Sequence, residues 1–210
     1  YWLKVKNMAK MKKSSTRIDM TAMCDVSFLL LTFFVLTSTA KTPEVHPVDL
    51  PASTKETKIP TDDILSITVG QENVYIGIAG KEDRKDILTR MGQEYKIEFK
   101  EEEKNAFAGL ENFGADIREM KSLLAKTPGD RMKEEFHKGI PYKDSLNNQL
   151  SSWVRNARES SWQRKESFLK VAIKGDANEQ YGTIKEIMNI LQKQRQNRFY
   201  LVTGLRTDDF

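Results

Sequence analysis

A single cysteine, Cys24, among 210 residues excludes an internal disulfide framework and says nothing about redox compartment. We read it as a small apolar filler. Only two histidines occur, His46 and His137, far apart and without neighbouring ligands, so no metal site is expected. The chain lacks G-x-x-x-x-G-K-S/T and G-x-G-x-x-G phosphate loops, a C-x-x-C pair and an H-E-x-x-H helix. Without any of these constellations an enzyme is not expected.

Acidic residues are scarce at the start of the chain. Lys4, Lys6, Lys10, Lys12, Lys13 and Arg17 precede position 41 against only Asp19 and Asp25. Six of the 34 basic and two of the 30 acidic residues therefore lie in this part, and 28 of each remain. The net charge of +4 is thus an N-terminal feature, which argues against nucleic acid as a partner. Tyr1, where a start codon would give Met, leads us to expect that the natural chain begins upstream.

Long hydrophobic runs are also missing, with one exception. Residues 18–40 read I-D-M-T-A-M-C-D-V-S-F-L-L-L-T-F-F-V-L-T-S-T-A. Positions 20–40, about 21 residues at ~1.5 Å each, are about 31 Å long, enough to cross a hydrocarbon core once. Basic flanks of such a span stay in the cytoplasm, so residues 1–19 are expected there as an arm that can touch anionic lipid. Residues 41–210 are then expected across the membrane.

An acid at the centre of such a span costs about 2.5–3.5 kcal/mol, and is kept where it is used or paired. Asp25 enters about 8 Å along the axis. At helical spacing it shares a face with Thr21, Phe28, Leu29, Thr32, Leu36 and Thr39, while Val26, Leu30, Phe33 and Phe34 form the opposite face. The blander reading places Asp25 near the headgroups, favoured only by the positive end of the helix dipole. A cleaved signal sequence is a rival, with Ser38, Thr39 and Ala40 as the cleavage site; the long basic arm and Asp25 weigh against it.

Beyond the span, Pro43, Pro47 and Pro51 exclude helix, Val48, Asp49 and Leu50 alternate as a short edge strand would, and residues 52–60 have linker composition. Residues 64–69 and 74–78 read as a β-hairpin about a turn at 70–73, so a folded domain is expected over 62–210. In the charged stretch 81–165, helices are expected at 86–91, at 116–125 with Ile117, Met120, Leu123 and Leu124 inward, and from a cap at Asp144 or Ser145 to Ser160. The last would bury Leu146, Leu150, Trp153, Val154 and Ala157. Residues 100–104, K-E-E-E-K, read as a solvated face. A strand at 168–173, a turn at 175–178, a helix at 183–196 with Ile184, Ile187, Met188 and Leu191 inward, and a strand at 199–203 make a βαβ unit. The fold class expected is α+β, with helices on one face of a small sheet behind one N-terminal transmembrane helix.

The span, followed by V-D-L-P-A-S, resembles the ExbD/TolR family, whose usual form is close to I-x-M-T-P-x-x-D-V-x-F-x-L-L-x-F-F with V-D-L-P after it. The segments V-A-I-K-G-D-A-N-E-Q-Y-G-T-I-K-E-I-M and F-Y-L-V-T are similar to the closing part of that family. Ala22 stands where the family has Pro, and the middle, 81–165, is longer than in the best-known members and resembles the Bacteroidetes variant. The resemblance implies a single-pass inner-membrane protein with its C-terminal domain in the periplasm. Asp25 would carry protons, helped by Thr21 and Thr32, inside a ring of ExbB/TolQ-type subunits. The chain would act as a homodimer, with Val48, Asp49, Leu50 and Pro51 at a dimer or partner contact, and would work with a TonB-like protein to energise outer-membrane uptake. Protons would be its coupling ion, with no other cofactor. A TolR-like envelope-stabilising subunit and a passive membrane-anchored adaptor are the alternatives.

Overall fold

The structure, a computed structural model, describes residues 20–38, 45–53, 63–144, 147–167, 169–177, 179 and 181–205. The chain divides into two compact units, residues 1–41 and 42–210.

In the first unit, α1 (Met20–Thr37) is one uninterrupted helix. Its hydroxyls turn back on their own helix: Ser27 Oγ donates to the Met23 carbonyl (2.8 Å), Thr32 Oγ1 to Leu29 (2.9 Å) and Thr37 Oγ1 to Phe33 (2.8 Å). This lets polar residues sit in an apolar helix without unspent donors.

The second unit is α+β. Strands β1 (Ala52–Ser53) and β7 (Gly204–Leu205) form a small parallel pair. The main sheet contains β2 (Ile64–Gly70), β3 (Asn73–Ile78), β4 (Asn112–Phe113), β5 (Lys170–Gly175) and β6 (Phe199–Val202), in the order β4-β3-β2-β5-β6. As the alternation predicts, β2 and β3 form an antiparallel hairpin with Ile67 opposite Ile76. The turn residues Gln71 and Glu72 both have positive φ, 51° and 60°, the conformation a two-residue hairpin loop requires. Neither is a usual residue for it. Tertiary contacts hold the turn: Lys143 Nζ bonds the Glu72 carboxylate (2.9 Å) and the Glu72 N–H donates to Glu179 (3.2 Å).

Strand β5 runs parallel to β2 on one side and to β6 on the other, and α7 (Tyr181–Lys193) connects β5 to β6. This is the βαβ unit expected. The helix begins and ends earlier than the predicted 183–196, and Ile187 and Leu191 are fully buried whereas Ile184 and Met188 are half-buried. Phe168 and Asn178, in the predicted strand and turn, lie outside the described residues.

Helices α2 (Lys81–Tyr95), α3 (Glu101–Ala108), α4 (Met120–Leu124) and α6 (Gln149–Lys165) cover the sheet face that carries Leu65, Ile67, Val69, Val74, Ile76, Val171 and Ile173. Several boundaries depart from the sequence expectation, each for a reason its contacts show. The expected 86–91 helix is the centre of the much longer α2, whose first turn is polar and whose Arg84 is buried, donating from Nε to Ala108 (2.9 Å) and from Nη1 to Ile78 (2.6 Å). The expected 116–125 helix shortens to α4, because residues 116–120 are bonded three apart as turns, Glu119 N–H to the Asp116 carbonyl (2.9 Å) and Met120 N–H to that of Ile117 (3.4 Å); Ile117, Met120, Leu123 and Leu124 are still buried. The cap of α6 is Asn148, whose Oδ1 accepts from the Ser151 N–H (2.9 Å), rather than Asp144, and the helix runs past Ser160 to Lys165. Ser145 and Leu146 lie outside the described residues. The K-E-E-E-K stretch starts α3, with the Lys100 N–H bonded to the Glu103 carboxylate (2.8 Å).

Two short pieces, α5 (Pro128–Arg131) and a 3-10 turn (Glu134–Phe136), complete the middle segment. They lead to the opposite face of the sheet, which carries Thr68 and Tyr75.

Candidate functional site

The first candidate is α1 itself. No residue of the helix is buried, and Leu36 is 85% exposed, so 18 residues of almost wholly apolar surface have no cover of their own. The helix is long and apolar enough to cross a membrane. Asp25 lies in its second turn. Thr21 is one turn away, about 6 Å along the axis, and Thr32 two turns away, about 10 Å. A direct Asp25–Thr32 hydrogen bond is therefore excluded within one helix, and Thr32 can serve an acid at Asp25 only through water or a group from another chain. Cys24 is exposed beside Asp25.

The second candidate is the segment between span and sheet. The edge strand expected at Val48, Asp49 and Leu50 is not formed: residues 47–50 run without ladder pairing, and pairing starts only at Ala52, opposite Gly204. Pro47 and Pro51 remove an N–H at each end of this run, which denies it a ladder. Its residues lie instead against their own domain. Val48 is half-buried above Gly70, the Asp49 carbonyl accepts the Ala177 N–H at 2.7 Å, Leu50 is half-buried and Pro51 is exposed.

Just before this run, Val45 and His46 are buried. The His46 ring stacks on Tyr75, centroids 4.9 Å apart and planes 11° from parallel, and its Nδ1 pairs with the Glu134 carboxylate. Sequence reasoning missed this cluster. The three residues come from the start of the second unit, β3 and the charged middle, and nothing in their local spacing links them.

His137, also dismissed as a ligand, has a structural task. Its Nδ1 accepts the Gly114 N–H (3.1 Å) and its Nε2–H donates to the Arg131 carbonyl (2.6 Å), so the buried ring is neutral and joins two loops. Burial pushes it below the ordinary imidazole value of 6.5, outweighing the opposing effect of the Arg131 hydrogen bond. Above that value the ring is neutral both folded and unfolded. As the pH falls through 6.5 the unfolded chain takes a proton that the folded one resists, so stability is lost on acidification. We expect the urea midpoint of the full chain in detergent to fall between pH 7.5 and pH 5.5, and to fall less in His137→Gln. An equal fall in the variant would assign the pH dependence elsewhere.

Among the described residues no group of three or more His, Cys, Asp or Glu is placed to hold a metal ion. An apolar helix with one acid, a proline-bounded run and a mixed sheet ending in βαβ form the described architecture, and the sequence that builds it matches a family model. The profile described as "Biopolymer transport protein ExbD/TolR" aligns with residues 11–205. The chain belongs to the ExbD/TolR family. The match takes in α1 and the folded unit together, so the helix is part of the family's architecture rather than an unrelated anchor. No curated protein and no solved structure matches the chain. ExbD/TolR proteins are transport proteins by that description, and a single apolar N-terminal helix fits a single-pass inner-membrane member.

Proposed function

We propose that this ExbD/TolR protein is the proton-carrying subunit of an inner-membrane ExbB–ExbD type motor that draws on the proton motive force to energise TonB-dependent outer-membrane transport. The observation that supports this reading most is Asp25, an acid within an otherwise apolar helix of a chain whose family match includes that helix. A carboxylate in a dry helix interface is costly when charged and tolerable when protonated. Alternation between a dry setting, which favours the neutral acid, and a wet or hydroxyl-lined one, which favours the anion, loads and releases a proton. Thr21 and Thr32 lie on that face, and the ring of ExbB/TolQ-like subunits supplies the second wall. A homodimer places two copies of Asp25 inside the ring to act in turn. No enzymatic step and no cofactor other than the proton is needed.

The basic arm at 1–19 stays cytoplasmic and 41–210 lies in the periplasm. Protease added to spheroplasts should therefore digest the folded unit and spare the arm; protection of the folded unit would reverse the orientation. Affinity purification of the full chain should bring down a polytopic ExbB/TolQ-like subunit. Recovery of the chain without one would favour the passive adaptor.

A further inference from the structure

From the cluster at His46 we infer that the long middle segment acts as a clamp: through Glu134 it holds the run 45–50 as a strap on the outer face of the sheet, and loss of that contact releases the strap. The inference concerns the folded unit and does not depend on proton carriage by Asp25.

Backbone bonding to the domain is sparse along the strap, although Val45 is buried and Val48 and Leu50 are half-buried. Its prolines and lack of ladder pairing leave the Asp49 carbonyl, which takes the Ala177 N–H at 2.7 Å, as its described backbone bond to the domain. The rest is side-chain fit. His46 is buried in a slot with Tyr75 as its floor, and a buried imidazole is costly unless its polar atoms are bonded. Glu134 meets that need at Nδ1 while its own side chain stays about half exposed.

Two glycines open the slot. A Cβ at Gly70 would come 2.6 Å from His46 Nε2 and 3.1 Å from Val48 Cγ1, and one at Gly114 would come 2.3 Å from the Tyr75 ring. The backbone of Glu134 is tied to its neighbours. The His137 N–H donates to its carbonyl (2.8 Å), and the buried His137 ring ties that turn to Gly114, the residue lying against Tyr75. The wall of the slot and the clamp are therefore joined through one imidazole. Since the strap stands at the start of the second unit, on the side of the span, its release would add these residues to the chain that tethers that unit.

The test is amide hydrogen exchange on the full chain in nanodiscs, with the Ala177 N–H reporting strap contact and the Ile67 and Ile173 N–H groups reporting the sheet core. Glu134→Ala, His46→Ala and Gly70→Ala, which attack the clamp, the ring and the slot separately, should each speed exchange at Ala177 tenfold or more and leave both core amides unchanged. Glu135→Ala, the neighbouring acid, should change none of them. Exchange at Ala177 within twofold of wild type in Glu134→Ala would overturn the clamp. So would equal acceleration of the Ile67 and Ile173 amides in that variant, because the effect would then be global unfolding.

Discussion

Replacing Asp25 by Asn is expected to leave the protein inserted and assembled with its partner ring while abolishing energised uptake. The amide keeps the size and much of the hydrogen bonding of the acid and removes only titration, and a neutral side chain is easier to hold in an apolar helix. One elementary charge moved through 100 mV yields about 2.3 kcal/mol. That is small beside the ~5–15 kcal/mol stability of a folded domain, so several protons must be coupled to do mechanical work on a partner, and a subunit that carries none contributes nothing. Thr32→Val should impair uptake less, because Thr32 stands about 10 Å from Asp25 along the helix and, on the proposed reading, would reach it only through an intermediary. Uptake and co-purification are measured together in cells lacking any paralogue. Normal uptake by the Asn variant would remove the proton-carrier role.

Truncation of Trp153 to Ala should cost the folded unit about 3–5 kcal/mol, a large fraction of its whole stability. The ring is fully buried, 4.8 Å from Phe113 and 5.9 Å from Phe107, with the two phenylalanines 4.9 Å apart. This aromatic triangle joins α6 to α3 and β4, and no single neighbour can fill the space left. Trp153→Phe should cost less than half as much. It keeps most of the aromatic contact and removes the indole N–H, which has no hydrogen-bond partner among the described residues and carries a desolvation cost of about 1–3 kcal/mol. Urea titrations of the full chain in detergent, followed by far-UV circular dichroism, give both values. Equal losses in the two variants would mean that ring contact is not what Trp153 provides.

Where the hydrophobic period is strong over a stretch, the residues alone determined the structure. The apolar run became one helix, the alternation of Leu65, Ile67 and Val69 against Val74, Ile76 and Ile78 became a hairpin, and the spacing of Leu150, Trp153, Val154 and Ala157 became the buried stripe of α6. The family, too, was legible in the motif around Asp25, because that acid lies inside the strongest hydrophobic pattern of the chain.

Tertiary structure alone decided what depends on contacts between distant residues. Helix α2 extends well beyond its apolar centre because Arg84 reaches two backbone carbonyls that sequence spacing does not place beside it. The Gln71-Glu72 turn is held in a conformation its residues do not favour by Lys143 and Glu179. The run at Val48, Asp49 and Leu50 has the alternation of a strand, yet packs as an unpaired strap, since ladder formation needs N–H donors that its flanking prolines lack and a partner edge in register. His46, Tyr75 and Glu134 meet only once the sheet has formed and the middle segment has folded round to its outer face. A sequence displays its local periodicities directly, but contacts across the fold exist only after the chain has closed on itself.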